Sequence, residues 1–237
     1  MNHLDKTDIS IQQRVWFRFL LVILLSVLAA GLAYAVLSLP SEAPGLSVMV
    51  NENIEVSGVI NPVTAVLLNF RGYDTLLEMS VLFLALLGVW SLGSITEQTE
   101  PAPGAVLDLL SRLLVPYLIL VAGYLLWVGA HAPGGAFQAG SVLAAAGVLL
   151  LLSGWRLSDR YSGLSLRFAL VLGLLVFIIV ALAMIIIGGR LLEYPQAFAG
   201  VLILIIEVAA TLSIGVTLVS LFYGGRPSQG TTGEKKR

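Results

Sequence analysis

Long apolar runs separated by short polar stretches organise this chain. A helix needs about 20 apolar residues to cross roughly 30 Å of hydrocarbon, and six runs approach that length. The first extends from Phe17 to Leu39 and stops at Pro40. A stretch over 40–62 follows that carries Glu42, Asn51, Glu52, Asn53, Glu55 and Asn61, too polar to cross lipid. The chain turns apolar again from Pro62 to Phe70, until Arg71 and Asp74 interrupt it. The second full span is therefore expected from Thr75 to Ile95, with Glu78 in its first turns.

Thr96–Gly104, with its charges and two prolines, reads as an exposed linker and the best domain boundary. The third span is expected over Val106–Ala130, with Asp108 and Arg112 spaced for an i, i+4 surface pair of no assigned role. The fourth, Gln138–Leu152, is short and rich in glycine and alanine, which predicts packing against other helices rather than lipid. The fifth covers Leu166–Gly188 and the sixth Phe198–Tyr223. The pattern thus predicts an all-α polytopic membrane protein with about six transmembrane helices. Its expected organisation is a two-helix module over 1–95, a linker over 96–104, a four-helix module over 105–223, and a disordered cytoplasmic tail over 224–237.

Composition sharpens this picture. The 237 residues are 58% hydrophobic and only 11% charged, where a soluble domain carries about a quarter. Mean hydropathy is +0.96. The first run is too long for a signal-peptide core and lacks an A-x-A-type cleavage site, so it is expected to be a retained span. Of the 13 lysines and arginines, all but Arg71 and Arg190 fall on the side that six spans assign to both termini. The positive-inside rule then makes that side, and both termini, cytoplasmic. A net charge of −1 with no basic stripe gives no reason to expect nucleic acid.

Candidate chemistry is sparse. There is no cysteine, and His3 and His131 are the only imidazoles, which excludes thiolate chemistry and a multi-histidine metal site within the chain. No nucleophile–base pair or phosphate loop is present, so an enzyme is not expected, nor a bound cofactor. Four features stand out from the apolar background, the Asp108/Arg112 pair among them.

In Phe70-Arg-Gly-Tyr-Asp-Thr-Leu-Leu-Glu78, a helix would place Arg71, Asp74 and Glu78 along one stripe with the Thr75 hydroxyl nearby. Two carboxylates, a cation and a hydroxyl at a membrane edge suit a proton relay or a Na⁺ site, with Asp74 and Glu78 as its hard oxygen ligands. A structural ion pair that fixes helix depth is the alternative. Glu207 lies deep in the sixth span, where a carboxylate must be protonated, paired or hydrated. It is either a titrating relay group or a neutral acid bonded to a neighbouring protein of the membrane. In the turn from His131 to Gly140, Pro133, Gly134 and Gly135 end one helix and begin the next, Phe137 is placed to wedge against a neighbour, and Gly140 permits close helix approach. By its residues this turn is structural, with His131 as either a titrating group or a helix-end cap.

The stretch His131-Ala-Pro-Gly-Gly-Ala-Phe-Gln-Ala-Gly140, followed by a small-residue span, resembles the MnhB component of the multisubunit Mrp/Mnh-type cation/proton antiporters, over about residues 108–223. That family carries a histidine ahead of a proline–glycine–glycine–glycine–phenylalanine run closed by two glycines; Ala136 and Ala139 stand for two of the glycines here. Glu207 ahead of Ile214-Gly-Val-Thr-Leu-Val-Ser also looks like the family's last helix. Asn61-Pro-Val-Thr-Ala-Val-Leu-Leu-Asn-Phe-Arg-Gly-Tyr-Asp-Thr-Leu-Leu-Glu78 is similar to the extreme C-terminal end of the large antiporter subunit. The same segment also occurs as a small separate component, the E-type, of membrane-bound hydrogenases. That second resemblance covers about residues 50–95, and the N-terminal part and the linker carry none.

These resemblances imply a fusion of two modules, one E-like and one MnhB-like, in a membrane component of a multisubunit monovalent cation/proton antiporter. They imply transported Na⁺ (or K⁺) and H⁺, other large and small membrane subunits as partners, and a prokaryotic cytoplasmic membrane. They further imply ion handling at Arg71, Asp74 and Glu78, and a transport or assembly role for Pro133, Gly134, Gly135 and Phe137. The equivalent component of a membrane-bound hydrogenase or related complex I-like assembly is the alternative, and a purely structural scaffold the third possibility.

Overall fold

The computed structural model describes residues 4–39, 45–92, 104–154, 163–188 and 191–224. All of the expected linker over 96–104 except Gly104, the end of the second span at Ile95, Pro40 and the tail beyond Gly224 lie outside the described residues. Among those described, every regular element is helical. Among the described residues, five helices contain segments long and apolar enough to cross a membrane: Trp16–Leu37, Gly72–Ser91, Ala105–Val128, Leu164–Ile187 and Ala199–Tyr223. A sixth apolar helix, Ala136–Leu152, has 17 residues, about 25 Å at 1.5 Å per residue and so at the short end of the spanning range.

The chain divides into two compact units, Met1–Leu46 and Ser47–Arg237. The first contains helix α1, Leu4–Leu37. From Trp16 onward its side chains are exposed all round, as suits a helix bathed in lipid.

The second unit contains the other helices. After α2, Ser47–Asn53, and a 3₁₀ turn over Ile54–Ser57, Gly58 adopts φ 78° and lies against the start of the last helix. A Cβ built there would lie 2.6 Å from the Gly200 nitrogen, so only glycine fits. Asn61 caps α3, Pro62–Ala65, by accepting the Val63 N–H at 2.9 Å. That short helix widens into a π-helical turn over Val66–Phe70.

Arg71 then leaves helical geometry (φ −130°, ψ 36°), and α4 runs from Gly72 to Ser91. The Thr75 hydroxyl donates to the Leu67 carbonyl at 2.6 Å. Eight residues of straight helix would separate those positions by about 12 Å, so the helix is broken and the chain bends back. The second span therefore begins at Gly72 rather than Thr75. Its first turn includes Asp74, because a carboxylate is favoured beside the unpaired N–H groups of a helix start. Hydropathy alone treats that same charge as an interruption.

Helices α5 (Ala105–Val128), α6 (Ala136–Leu152), α7 (Leu164–Gly188) and α8 (Ala199–Tyr223) complete the unit. The buried face of α8 carries Ile203, Ile206, Glu207, Ala210 and Ile214, and α6, α7, α4 and α5 pack on it. The division after Leu46 places α4 in the same compact unit as α5–α8. Small residues set the spacing. A Cβ at Gly140 would lie 2.8 Å from Ile214 Cγ2, and one at Gly173 in α7 would meet Met79 of α4 and Ser213 of α8. Ser213 donates to the Leu170 carbonyl at 2.5 Å, tying α8 to α7. In lipid, close packing and interhelical hydrogen bonds are the available driving forces, and both are used here. The expectation that the short glycine/alanine span packs against other helices holds.

Candidate functional site

The turn between α5 and α6 meets the middle of α8 at a single carboxylate. Helix α5 ends at Val128, and the Val128 carbonyl accepts the N–H groups of His131 and Ala132, at 2.9 and 2.8 Å. The Gly135 N–H reaches back to the Leu125 carbonyl at 2.9 Å. This folds the turn so tightly that a Cβ at Gly129 would lie 2.6 Å from the Gly135 nitrogen. Gly135 takes φ 101° and ψ −173° as the residue preceding α6, a conformation essentially confined to glycine.

Released in this way, the first N–H of α6, that of Ala136, donates to the Glu207 carboxylate. Glu207 is only 2% exposed, and among the described residues it is in no ion pair. An anionic oxygen at a helix start satisfies an otherwise unpaired donor and meets the positive end of the helix dipole. In the sequence the glycine turn and Glu207 stand as separate features; the fold makes them one site. Phe137 packs partly buried on the hydrophobic core, Gly140 seats Ile214, and the His131 side chain is exposed.

A second set of polar groups holds the same turn from the other side. The Ile60 and Asn61 N–H groups donate to the Ala130 carbonyl at 2.9 and 3.0 Å. The Asn61 side-chain amide donates to the Ala132 carbonyl at 2.5 Å, and the Thr64 hydroxyl to the Gly129 carbonyl at 2.5 Å. In the sequence Asn61 and Thr64 appear only as members of a polar stretch and of the segment similar to the end of the large antiporter subunit, with no role of their own. The Asn-Pro pair ahead of an apolar run is a helix-start signature, but nothing local shows that both side chains also reach a carbonyl some 70 positions away.

The charged group on α4 is arranged differently. Arg71 Nη2 and Asp74 Oδ2 form an ion pair at 2.5 Å in which both side chains are largely exposed. Glu78 lies one turn further along, exposed, and outside that pair. Thr75 is buried with its hydroxyl proton committed to Leu67. Arg71, Asp74 and Glu78 thus lie on the outward surface of α4, while Glu207 is enclosed. Among the described residues, no three acidic or histidine side chains gather as a metal site would require. The Arg112–Asp108 pair forms as expected at 3.0 Å on the surface of α5.

One further group was not legible in the sequence. Tyr194, between α7 and α8, is buried, and its hydroxyl finds no hydrogen-bond partner among the described residues. Burial pushes its phenol well above the ordinary range.

These features define a helical, multi-pass membrane protein with a carboxylate enclosed at a helix start and a separate charged stripe facing outward. Residues 106–224 match the family described as a domain related to the MnhB subunit of Na⁺/H⁺ antiporter, and residues 13–105 match the MbhE family, named for a component of MBH. The chain belongs to the MnhB-related family and carries the MbhE module ahead of it.

The MbhE match takes in the N-terminal span and the linker, for which the sequence showed no resemblance. Those segments are plain apolar or turn-rich sequence with no distinctive side-chain pattern. Two solved structures share the fold. A chain of the membrane-bound sulfane sulfur reductase, an archaeal respiratory membrane complex, superposes with a TM-score of 0.62 at 23% identity, over 88% of this chain and 97% of that one. A chain of the Mrp complex from Dietzia sp. DQ12-45-1b gives 0.60 at 24% identity, over 90% of this chain and 26% of the other. A search of curated proteins finds no match.

Proposed function

We propose that this chain is a membrane subunit of a multisubunit monovalent cation/proton antiporter, contributing to the Na⁺ or H⁺ path and to assembly of the complex. The observation that carries the reading is the succession, in one chain, of an MbhE module and an MnhB-related module, docked through the hydrogen bonds of Ile60, Asn61 and Thr64. In this reading Glu207, enclosed in α8, is a proton-exchanging group, since a carboxylate in a span is costly to keep unless it has a task. Arg71, Asp74 and Glu78 handle the cation on the outer face of α4, where Asp74 and Glu78 offer oxygen ligands suited to Na⁺ and a further membrane subunit completes the path. His131, Pro133, Gly134, Gly135, Phe137 and Gly140 form the turn that positions α6. The lysine and arginine distribution supports termini on the cytoplasmic side of a prokaryotic inner membrane.

A second reading has one specific observation in its favour. The fold match extends over 97% of the sulfane sulfur reductase chain but only 26% of the Mrp chain. An equivalent component of a redox-driven, ion-translocating complex therefore fits as well in outline.

Inverted vesicles from cells expressing the whole set of neighbouring genes separate the two. Cation-dependent proton release without any redox substrate supports the antiporter, and ion movement only on addition of a reductant supports the alternative. Within the antiporter, Glu78→Gln should abolish Na⁺-dependent proton release from an assembled complex. Undiminished antiport by that variant removes Glu78 from the path.

A further inference from the structure

The contact between the two modules is chemically one-sided. Ile60, Asn61 and Thr64, in the MbhE module, supply the donors, and the carbonyls of Gly129, Ala130 and Ala132, in the MnhB-related module, accept. Those carbonyls lie just beyond the last residue of α5, in the turn where the helix no longer supplies internal donors. Asn61 and Thr64 are 5% and 4% exposed, so water does not compete for these bonds.

The gripped backbone is continuous with the site. Gly129 touches Gly134 and Gly135, and the Gly135 N–H is held by Leu125. Between Gly129 and Ala136 the chain therefore has little room to move. A shift at the Gly129 or Ala132 carbonyl is carried to the Ala136 N–H, which lies against Glu207. A Cβ at Gly135 would lie 2.7 Å from Glu207 Oε1, so the carboxylate sits close against this stretch of backbone.

We propose that Asn61 and Thr64 are positioning residues for Glu207: by fixing the end of α5 they aim the Ala136 N–H at its carboxylate, so that the MbhE module sets the geometry of the acidic site in the other module. Neither side chain touches Glu207, and both act through the turn. The inference rests on reading Glu207 as part of the ion path, but its measurement does not use transport.

The test takes the full-length chain, assembled with its partner subunits in lipid nanodiscs, and follows two signals. One is amide hydrogen exchange over residues 134–138. The other is the infrared carboxyl band of Glu207, assigned by difference from Glu207→Gln. Thr64→Val removes one hydroxyl with little change of shape, and Asn61→Ser keeps a cap for α3 but loses the amide that reaches Ala132. Each should speed exchange at Ala136 by about tenfold, as local opening becomes easier, and shift the Glu207 band, while Thr64→Ser restores both. Unchanged exchange and an unchanged band in assembled variants overturn the proposal, even if transport falls. A shifted band combined with normal transport by Glu207→Gln upholds the positioning and overturns the ion-path role instead. Should Asn61→Ser not assemble, Thr64→Val decides alone.

Discussion

Glu207 and Gly135 exclude a side chain between them. A Cβ at position 135 would stand 2.7 Å from Glu207 Oε1, and the backbone there has φ 101°. Two independent penalties therefore guard one residue. The positive-φ conformation costs a non-glycine residue about 1–3 kcal/mol, and a Cβ there would also push the end of the Glu207 side chain away from the Ala136 N–H. Gly135→Ala should lower the unfolding temperature of the purified complex clearly, whereas Gly123→Ala, in the open on α5, should be neutral or stabilising by up to about 1 kcal/mol. Equal thermal stability of the two variants would show that the turn does not need its glycine.

The hydrogen bond to Ala136 separates two roles of Glu207. Glutamine keeps a carbonyl oxygen to accept that N–H but cannot exchange a proton. Leucine of similar size leaves the buried donor unpaired, at a cost of about 1–3 kcal/mol. Glu207→Gln should therefore assemble to nearly wild-type yield and lose transport, while Glu207→Leu should also lose yield. Parallel losses of yield and activity in both variants would mark a scaffold rather than a relay.

Helix α6 approaches α8 through Gly140, where a Cβ would lie 2.8 Å from Ile214 Cγ2 and 3.2 Å from the Thr211 carbonyl. One of those neighbours is backbone and cannot swing away. Gly140→Leu should destabilise by at least about 1–3 kcal/mol through overpacking. Ser141→Leu, one position along on the exposed side, serves as the control and should unfold at the wild-type temperature in detergent.

Tyr194 offers a pH-dependent test outside the spans. Burial holds its phenol above the ordinary value of about 10, so the folded chain favours the neutral form more strongly than the unfolded chain does. Its contribution to stability is complete below the unfolded-state value and is lost progressively as pH rises above it. Alkaline unfolding measured above about pH 10 should ease in Tyr194→Phe relative to wild type. At neutral pH that variant should be no less stable, because a buried hydroxyl without a partner is a cost removed. A marked loss of stability at neutral pH would reveal a hydrogen bond to a group beyond the described residues.

The spans were legible because lipid enforces a simple rule. Any segment that crosses must be apolar over about 20 residues and satisfy its own backbone, so hydropathy alone locates α1, α5, α7 and α8 to within a few residues of their apolar stretches. It also marks the short α6 as a packed helix. The start of α4 was displaced by one turn, because Asp74 reads as polar sequence while serving as a favourable first-turn acid. The broken helix over Pro62–Phe70 escaped for a similar reason: its sign is a hydrogen bond between Thr75 and Leu67, invisible to periodicity.

Sequence by itself determined the solvent, the approximate number of spans, the kinship of both modules and the residues costly enough to suggest a task. Composition and local spacing encode those properties directly. Only the tertiary structure decided that Glu207 answers to the glycine turn, that Thr75 serves the backbone, and that Asn61 and Thr64 clasp the end of α5. Each of those depends on which distant backbone groups a side chain meets once α4, α5, α6 and α8 have packed, and no local pattern records where an unpaired N–H or carbonyl will finally lie.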